Sequence, residues 1–165
     1  MIENGLYILK SDFFKLIESL GGDCDKDAGG KRPVYCCIKD ELIDGLYWAI
    51  PTSDISHRSE GQKSRYDRYI SFDSKDLRSC YYHKAKTTVE SIYKISSCFP
   101  VTDKYVEHEF TTNGVHVILK RKDDIEEIKR KLKRVLSMEF SRINYFSQRI
   151  SDIRDYLIKE LKEAD

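Results

Sequence analysis

The sequence predicts an α+β fold: a mostly antiparallel sheet or open barrel with helices added. Three observations predict it. Short β-prone runs punctuated by turn residues extend from Leu6 to Leu119. Two of these runs flank Asp44-Gly45 as a hairpin, and two helical stripes of apolar residues close the chain. With 165 residues and 19.4 kDa, one core takes the whole chain, 1–165, as a single domain with a helical C-terminal portion from about 122.

In chain order, Leu6-Tyr7-Ile8-Leu9 reads as a strand. Ser11 offers an N-cap, and Phe13, Leu16, Ile17 and Leu20 recur at helical spacing until Gly21-Gly22 supplies the positive φ that ends a helix. Asp23 to Lys31 is polar and reads as a mobile loop. The hairpin pairs Pro33–Ile38 with Leu46–Pro51 around a connection longer than the tight two-residue kind. Thr52 to Asp76 has many charges and little apolar periodicity, which predicts a long excursion. Strand character returns at 81–83 and at 92–95, where Phe99-Pro100 ends it, and again at 115–119. Asp123-Asp124 opens a helix carrying Ile125, Ile128, Leu132, Val135 and Leu136 on one face. A second helix carries Phe146, Ile150, Ile153, Leu157 and Leu161. Both stripes predict packing on the sheet and on each other.

Composition excludes several functions. The formal net charge of +1 rules out coating nucleic acid by bulk charge, and mean hydropathy of -0.57 without a long apolar run gives no membrane span. The first residues lack the basic and apolar regions of a signal peptide, so a cytoplasmic protein is expected. Five cysteines without CxxC, and four histidines without HxxxH, predict neither a metal site nor a cofactor. Cys36 and Cys37, inside an apolar run, are expected as small buried hydrophobes.

Charge distribution says more than its total. Residues 57–94 hold nine Lys/Arg against five Asp/Glu, with Tyr66, Tyr69, Phe72, Tyr81 and Tyr82 interleaved. Cations and rings together suit single-stranded RNA, whose phosphates pair and whose bases stack; ordinary exposed loops share the composition. Lys31-Arg32 precedes the first hairpin strand, where two cations can grip a phosphate or simply be solvated. Thr52-Ser53 ends the second strand, with hydroxyls and freed amides suited to a phosphoryl group. His57 beside Arg58 is a candidate for proton transfer on a ribose.

Two segments raise this corner above background. Arg32-Pro33-Val34-Tyr35-Cys36-Cys37, followed by Gly45-Leu46-Tyr47-Trp48-Ala49-Ile50-Pro51-Thr52-Ser53, resembles the strand–turn–strand of type III toxin–antitoxin endoribonucleases, in the CptN-like branch related to ToxN and AbiQ. Ile92 to Val106, through Phe99-Pro100 and Lys104-Tyr105, resembles the family's aliphatic strand and its Lys-Tyr continuation. Lys131 to Ser137 echoes it again. The resemblance implies a MazF/Kid-like barrel with added helices and metal-independent RNA cleavage. It also implies inhibition by a small repeat RNA that folds into a pseudoknot and assembles with the toxin into a closed hetero-oligomer. By resemblance Ser53 with Thr52, and Lys31 or Arg32, are active-site residues.

The expected reaction is attack of a ribose 2'-OH on the adjacent phosphate, giving a 2',3'-cyclic phosphate and a 5'-OH. Lys31 and Arg32 would stabilise the phosphorane, Thr52 and Ser53 orient it, and His57 move the proton, with Tyr35 or Lys31 as substitutes. Arg32, Tyr35, Arg58, Lys63, Arg65, Lys104 and Tyr105 are the expected RNA contacts. Asp54, where relatives carry a hydroxyl, is electrostatically awkward near a phosphate unless it pairs with Arg32 or Arg58. Two rival readings stay open: a non-catalytic RNA-binding module, and an interaction protein that docks through its C-terminal helices.

Overall fold

A computed structural model describes residues 1–24 and 32–164, the side chain of Cys37 excepted. Among them run β1 (Leu6–Leu9), α1 (Ser11–Ser19), β2 (Val34–Lys39), β3 (Leu46–Asp54), α2 (Glu60–Ile70), β4 (Tyr82–Lys86) and β5 (Glu90–Lys94). They are followed by β6 (Phe99–Thr102), β7 (Val106–Glu109), β8 (Thr111–Thr112), β9 (Val115–His116), α3 (Lys122–Ser141) and α4 (Ile150–Ala164). The fold is α+β, and every strand pair is antiparallel.

The sheet is built around β3. The main path runs β4-β5-β3-β2-β1-β7. One edge of β3 pairs with β2; the other is shared, Leu46–Ala49 with β6 and Thr52–Asp54 with β5. The pleat sends alternate residues to opposite faces and so to two cores. Tyr35, Trp48, Ile50 and Tyr93 pack with Ile128, Leu132 and Val135 of α3. Val34, Cys36, Ala49 and Phe99 pack with Phe13 and Ile17 of α1 and with Ile153 and Leu157 of α4.

The two C-terminal stripes therefore lie mainly on opposite faces of the sheet. The connection between them makes the crossing, and it is held by polar groups. The buried Glu139 carboxylate accepts from the amide of Asn144 (2.7 Å) and the hydroxyl of Ser151 (2.9 Å). Gln148 Nε2 donates to the carbonyls of Ser96 and Cys98 at 2.9 and 2.8 Å. Gly22 abuts this connection so closely that a Cβ there would stand 2.6 Å from the Gln148 carbonyl oxygen. Phe146 belongs to this connection rather than to α4.

Other expectations are corrected locally. Ser11 is the first residue of α1; Lys10 is its N-cap and makes no side-chain cap bond. The predicted excursion contains α2, started by a capping box in which Ser59 and Gln62 bond each other's backbone amides. That helix escaped detection because Tyr66 alone on it is buried. Phe99-Pro100 begins β6 instead of ending a strand, and proline is tolerated there because, among the described residues, β6 pairs only with β3. Of 115–119, only Val115–His116 is strand, closed on β8 by Asn113 (φ 52°) and Gly114 (φ 75°) in the positive-φ turn that tight hairpins favour. Val117 and Leu119 instead bond Leu6 and Asn4 beside β1. Cys36 is buried as expected, and burial pushes its thiol up to about 12.

Candidate active site

The last three residues of β3 each take a different role. Thr52 donates to the Pro33 carbonyl twice, from its amide (3.2 Å) and its hydroxyl (2.8 Å). It is 2% exposed, so this hydroxyl ties two strands together. Val34 pairs with Pro51, and continuing that register sets Arg32 level with Ser53. The Ser53 Oγ accepts from Arg58 Nε at 3.0 Å and from the Arg58 terminal nitrogen. The oxygen accepts in both bonds, and among the described residues its own proton has no acceptor, so it is available to donate. A cation against an oxygen makes that O–H a stronger donor.

Asp54 turns the chain. Its carboxylate accepts from the amide (2.8 Å) and hydroxyl (2.7 Å) of Ser56, and these bonds hold its pKa below the ordinary carboxylate range. Arg58 reaches Ser53 instead of Asp54, and the basic group near Asp54 is His57, whose Nε2 stands 3.6 Å from Oδ2. The His57 ring is 82% exposed and open to a ligand.

Next to this strand end lies a cavity of about 400 Å³, lined by Arg32, Pro51, Phe99, Ser97, Gln148 and Cys24 among others. Pro51 and Ser53 share a face of β3, about 7 Å apart by strand geometry. On the other side, α2 carries Arg65 and Arg68, each 5.5 Å from the Tyr69 ring, and Tyr69 stacks on Tyr82 at 5.6 Å. Lys63 is paired with Glu60 at 3.0 Å. Ser53, Thr52, Arg32, Arg58 and His57 are thus gathered at one strand end, with Arg65 and Lys63 on the helix that follows.

Other expected residues are elsewhere. Lys31 lies outside the described residues. Tyr35 is corrected as an RNA contact or proton carrier: it is 0% exposed, its ring packs edge-on against Tyr93, and its hydroxyl donates to Asn4 Oδ1 at 2.7 Å. Lys104 and Tyr105 lie apart from this group. They follow Thr102, which pairs with Leu46, so they belong to the far end of β3, about 23 Å from Ser53 along the strand. There both bond Glu160, and burial together with that carboxylate raises the Tyr105 phenol pKa.

One cluster had no sequence signal. His83 Nε2 lies 2.9 Å from Asp124 Oδ1, and Lys131 Nζ donates to the Tyr82 carbonyl at 2.8 Å and to His83 Nδ1 at 3.4 Å. Burial lowers the pKa of both His83 and Lys131. A neutral His83 with its proton on Nε2 satisfies both neighbours. Tyr93, across the strand pair from His83, keeps a buried hydroxyl without a partner among the described residues, and burial raises its pKa. His83 and Asp124 are far apart in sequence, so no spacing rule joins them.

Among the described residues no three of His, Cys, Asp and Glu gather as metal ligands, and no helix is long and apolar enough to cross a membrane. Compared with known proteins, the chain matches no family model and no curated protein.

Proposed function

We propose that this protein is a metal-independent endoribonuclease, the toxin of a type III toxin–antitoxin pair, on a MazF/Kid-like sheet with added helices. The observation that carries the reading is Ser53 clamped by Arg58 at the end of β3, level with Arg32 and beside the exposed His57. A phosphodiester set there meets two guanidinium groups and a hydroxyl whose proton is free, which suits charge building on a phosphorane. The Arg65 and Tyr69 side of α2 suits the flanking nucleotides of a single strand.

In the reaction, the ribose 2'-OH attacks phosphorus while His57 takes its proton. The P–O5' bond breaks, and the 5'-oxygen is protonated from solvent or from the same histidine. The products are a 2',3'-cyclic phosphate and a 5'-OH. Ser53 donates to a non-bridging oxygen, and Arg32 and Arg58 supply positive charge. The implied antitoxin is a small repeat RNA folded as a pseudoknot, and the implied substrate is cellular RNA.

The test is incubation with single-stranded RNA in EDTA, followed by analysis of the ends. Cyclic phosphate and 5'-OH ends that disappear in Ser53→Ala support the reading. Binding without cleavage would replace it by a non-catalytic RNA-binding module. Co-expression with the DNA just upstream of the gene, and sequencing of any RNA that co-purifies, tests the antitoxin.

A further inference from the structure

A second open trough, of about 440 Å³, lies where the β4–β5 turn, the β8–β9 hairpin and the segment leading into α3 converge. Its walls carry Lys86, Thr87 and Thr88 on one side, Asn113 at the hairpin tip, and Lys120 and Arg121 on the other. Among the described residues no Asp or Glu lines it. Glu90 is the cross-strand neighbour of Lys86, yet Lys86 and Lys120 make no ion pair among the described residues. Arg121 is held differently: its Nε is 3.8 Å from Asp124 Oδ2, and Asp124 is fixed in turn by His83. The trough thus combines two unpaired cations, one braced cation, hydroxyls and an amide. That is a donor set without a fixed acceptor, suited to an extended anion.

Sheet register connects the trough to the candidate active site. Ser53 pairs with Ile92, and Ile92 pairs with Lys84, so the three side chains share a face. Lys86 lies two residues further along that same face of β4. Two strand spacings, about 10 Å, separate β3 from β4. Ile92 is buried and Lys84 bonds Asp67 of α2, so a strand leaving Ser53 would pass round the ends of β3 and β5, not over β5, to reach Lys86 and the trough.

We infer that this trough binds the phosphodiester backbone of a single RNA strand running from the Ser53 end of β3, through contacts from Lys86, Lys120 and Arg121. The inference rests on the nuclease reading for its ligand class, but its test does not need cleavage. The probe is a fluorescent 16-nucleotide oligouridylate with 2'-O-methyl groups, which cannot be cut by 2'-OH attack. Its affinity is followed from low to moderate salt. Lys86→Ser/Lys120→Ser/Arg121→Gln should bind about tenfold or more weakly, with a salt slope shallower by about 2, as expected for three lost contacts to a single strand.

Since Arg121 touches Asp124, a Lys86→Ser/Lys120→Ser variant is measured alongside; it leaves the start of α3 intact and should lose about two-thirds of that slope change. Unchanged affinity and slope in both variants would overturn the inference. Cleavage by the wild type with an unchanged slope in the variants would remove the trough and keep the nuclease. A lost slope in a protein that never cleaves would do the reverse. A wild type that binds no oligouridylate would overturn the inference, and the cleavage assay alone would then decide the nuclease reading.

Discussion

The two faces of β3, β5 and β4 carry two charged clusters back to back, and they differ in what their charges touch. On the inner face the row Thr52–Tyr93–His83 meets Asp124 and Lys131. Water is nearly excluded there, Lys131 being 4% exposed, and His83, Asp124 and Lys131 each bond another part of the protein. On the outer face the row Ser53–Ile92–Lys84 meets Arg58 and Asp67. There a guanidinium and a hydroxyl still have donors available, and His57 is exposed. Buried charges must be matched or they destabilise, so the inner cluster holds α3 to the sheet. The outer one keeps the unsatisfied donors a ligand needs.

The largest expected effect separates the two roles. Arg58→Ala and Ser53→Ala should each lower RNA cleavage by about 10²-fold or more while leaving the thermal midpoint almost unchanged. Single-turnover cleavage beside a melting curve reads both, and equal losses of stability and activity would erase the distinction.

Next comes the converse variant. Lys131→Ala should destabilise by about 3 kcal/mol, since it unpairs the Tyr82 carbonyl and His83 in a buried setting. Urea unfolding would measure it, and cleavage at a temperature well below the midpoint should change far less.

A pH effect follows in size. Burial holds the pKa of His83 below the ordinary histidine value of 6.5. As pH falls through about 6.5, the unfolded chain takes up a proton there that the folded chain does not, so folded stability should fall. His83→Gln should flatten unfolding free energy between pH 7 and 5; an unaltered slope would show that other groups set it.

Two small effects complete the comparison. Ser59→Ala removes one half of the capping box of α2 and should cost about 1 kcal/mol of local stability. Amide exchange over residues 60–70 would report it, with weaker RNA binding if Arg65 and Arg68 depend on that helix. Lys104→Ala, at the far end of β3, should leave the cleavage rate within about twofold. A large loss would return that end of the strand to the active site.

Local patterns made much of the fold legible. The β2–β3 hairpin, α1 and the α3 stripe follow from strand propensity and helical spacing within a few residues, interactions that depend on the nearest neighbours alone. Residue type also picks out Ser53, Arg32 and His57 near one strand end, whereas Thr52, chosen with them, faces the inner side and spends its hydroxyl on Pro33. α2 was missed because it is almost wholly polar outside Tyr66, although Ser59 and Gln62 announced its start. Pro100 was misread because whether a strand is at an edge depends on partners that sequence does not name.

By itself, then, the sequence determined the α+β class, the β2–β3 hairpin around β3 and the amphipathic stripe of α3, because propensity and periodicity are local. Tertiary structure alone decided the opposite faces of α3 and α4 and the passage of Arg58 to Ser53 instead of Asp54. It also buried Tyr35 and assembled His83, Asp124 and Lys131. Each of these joins groups from different elements, and burial and hydrogen-bond partnership across such distances exist only once the sheet has closed around β3.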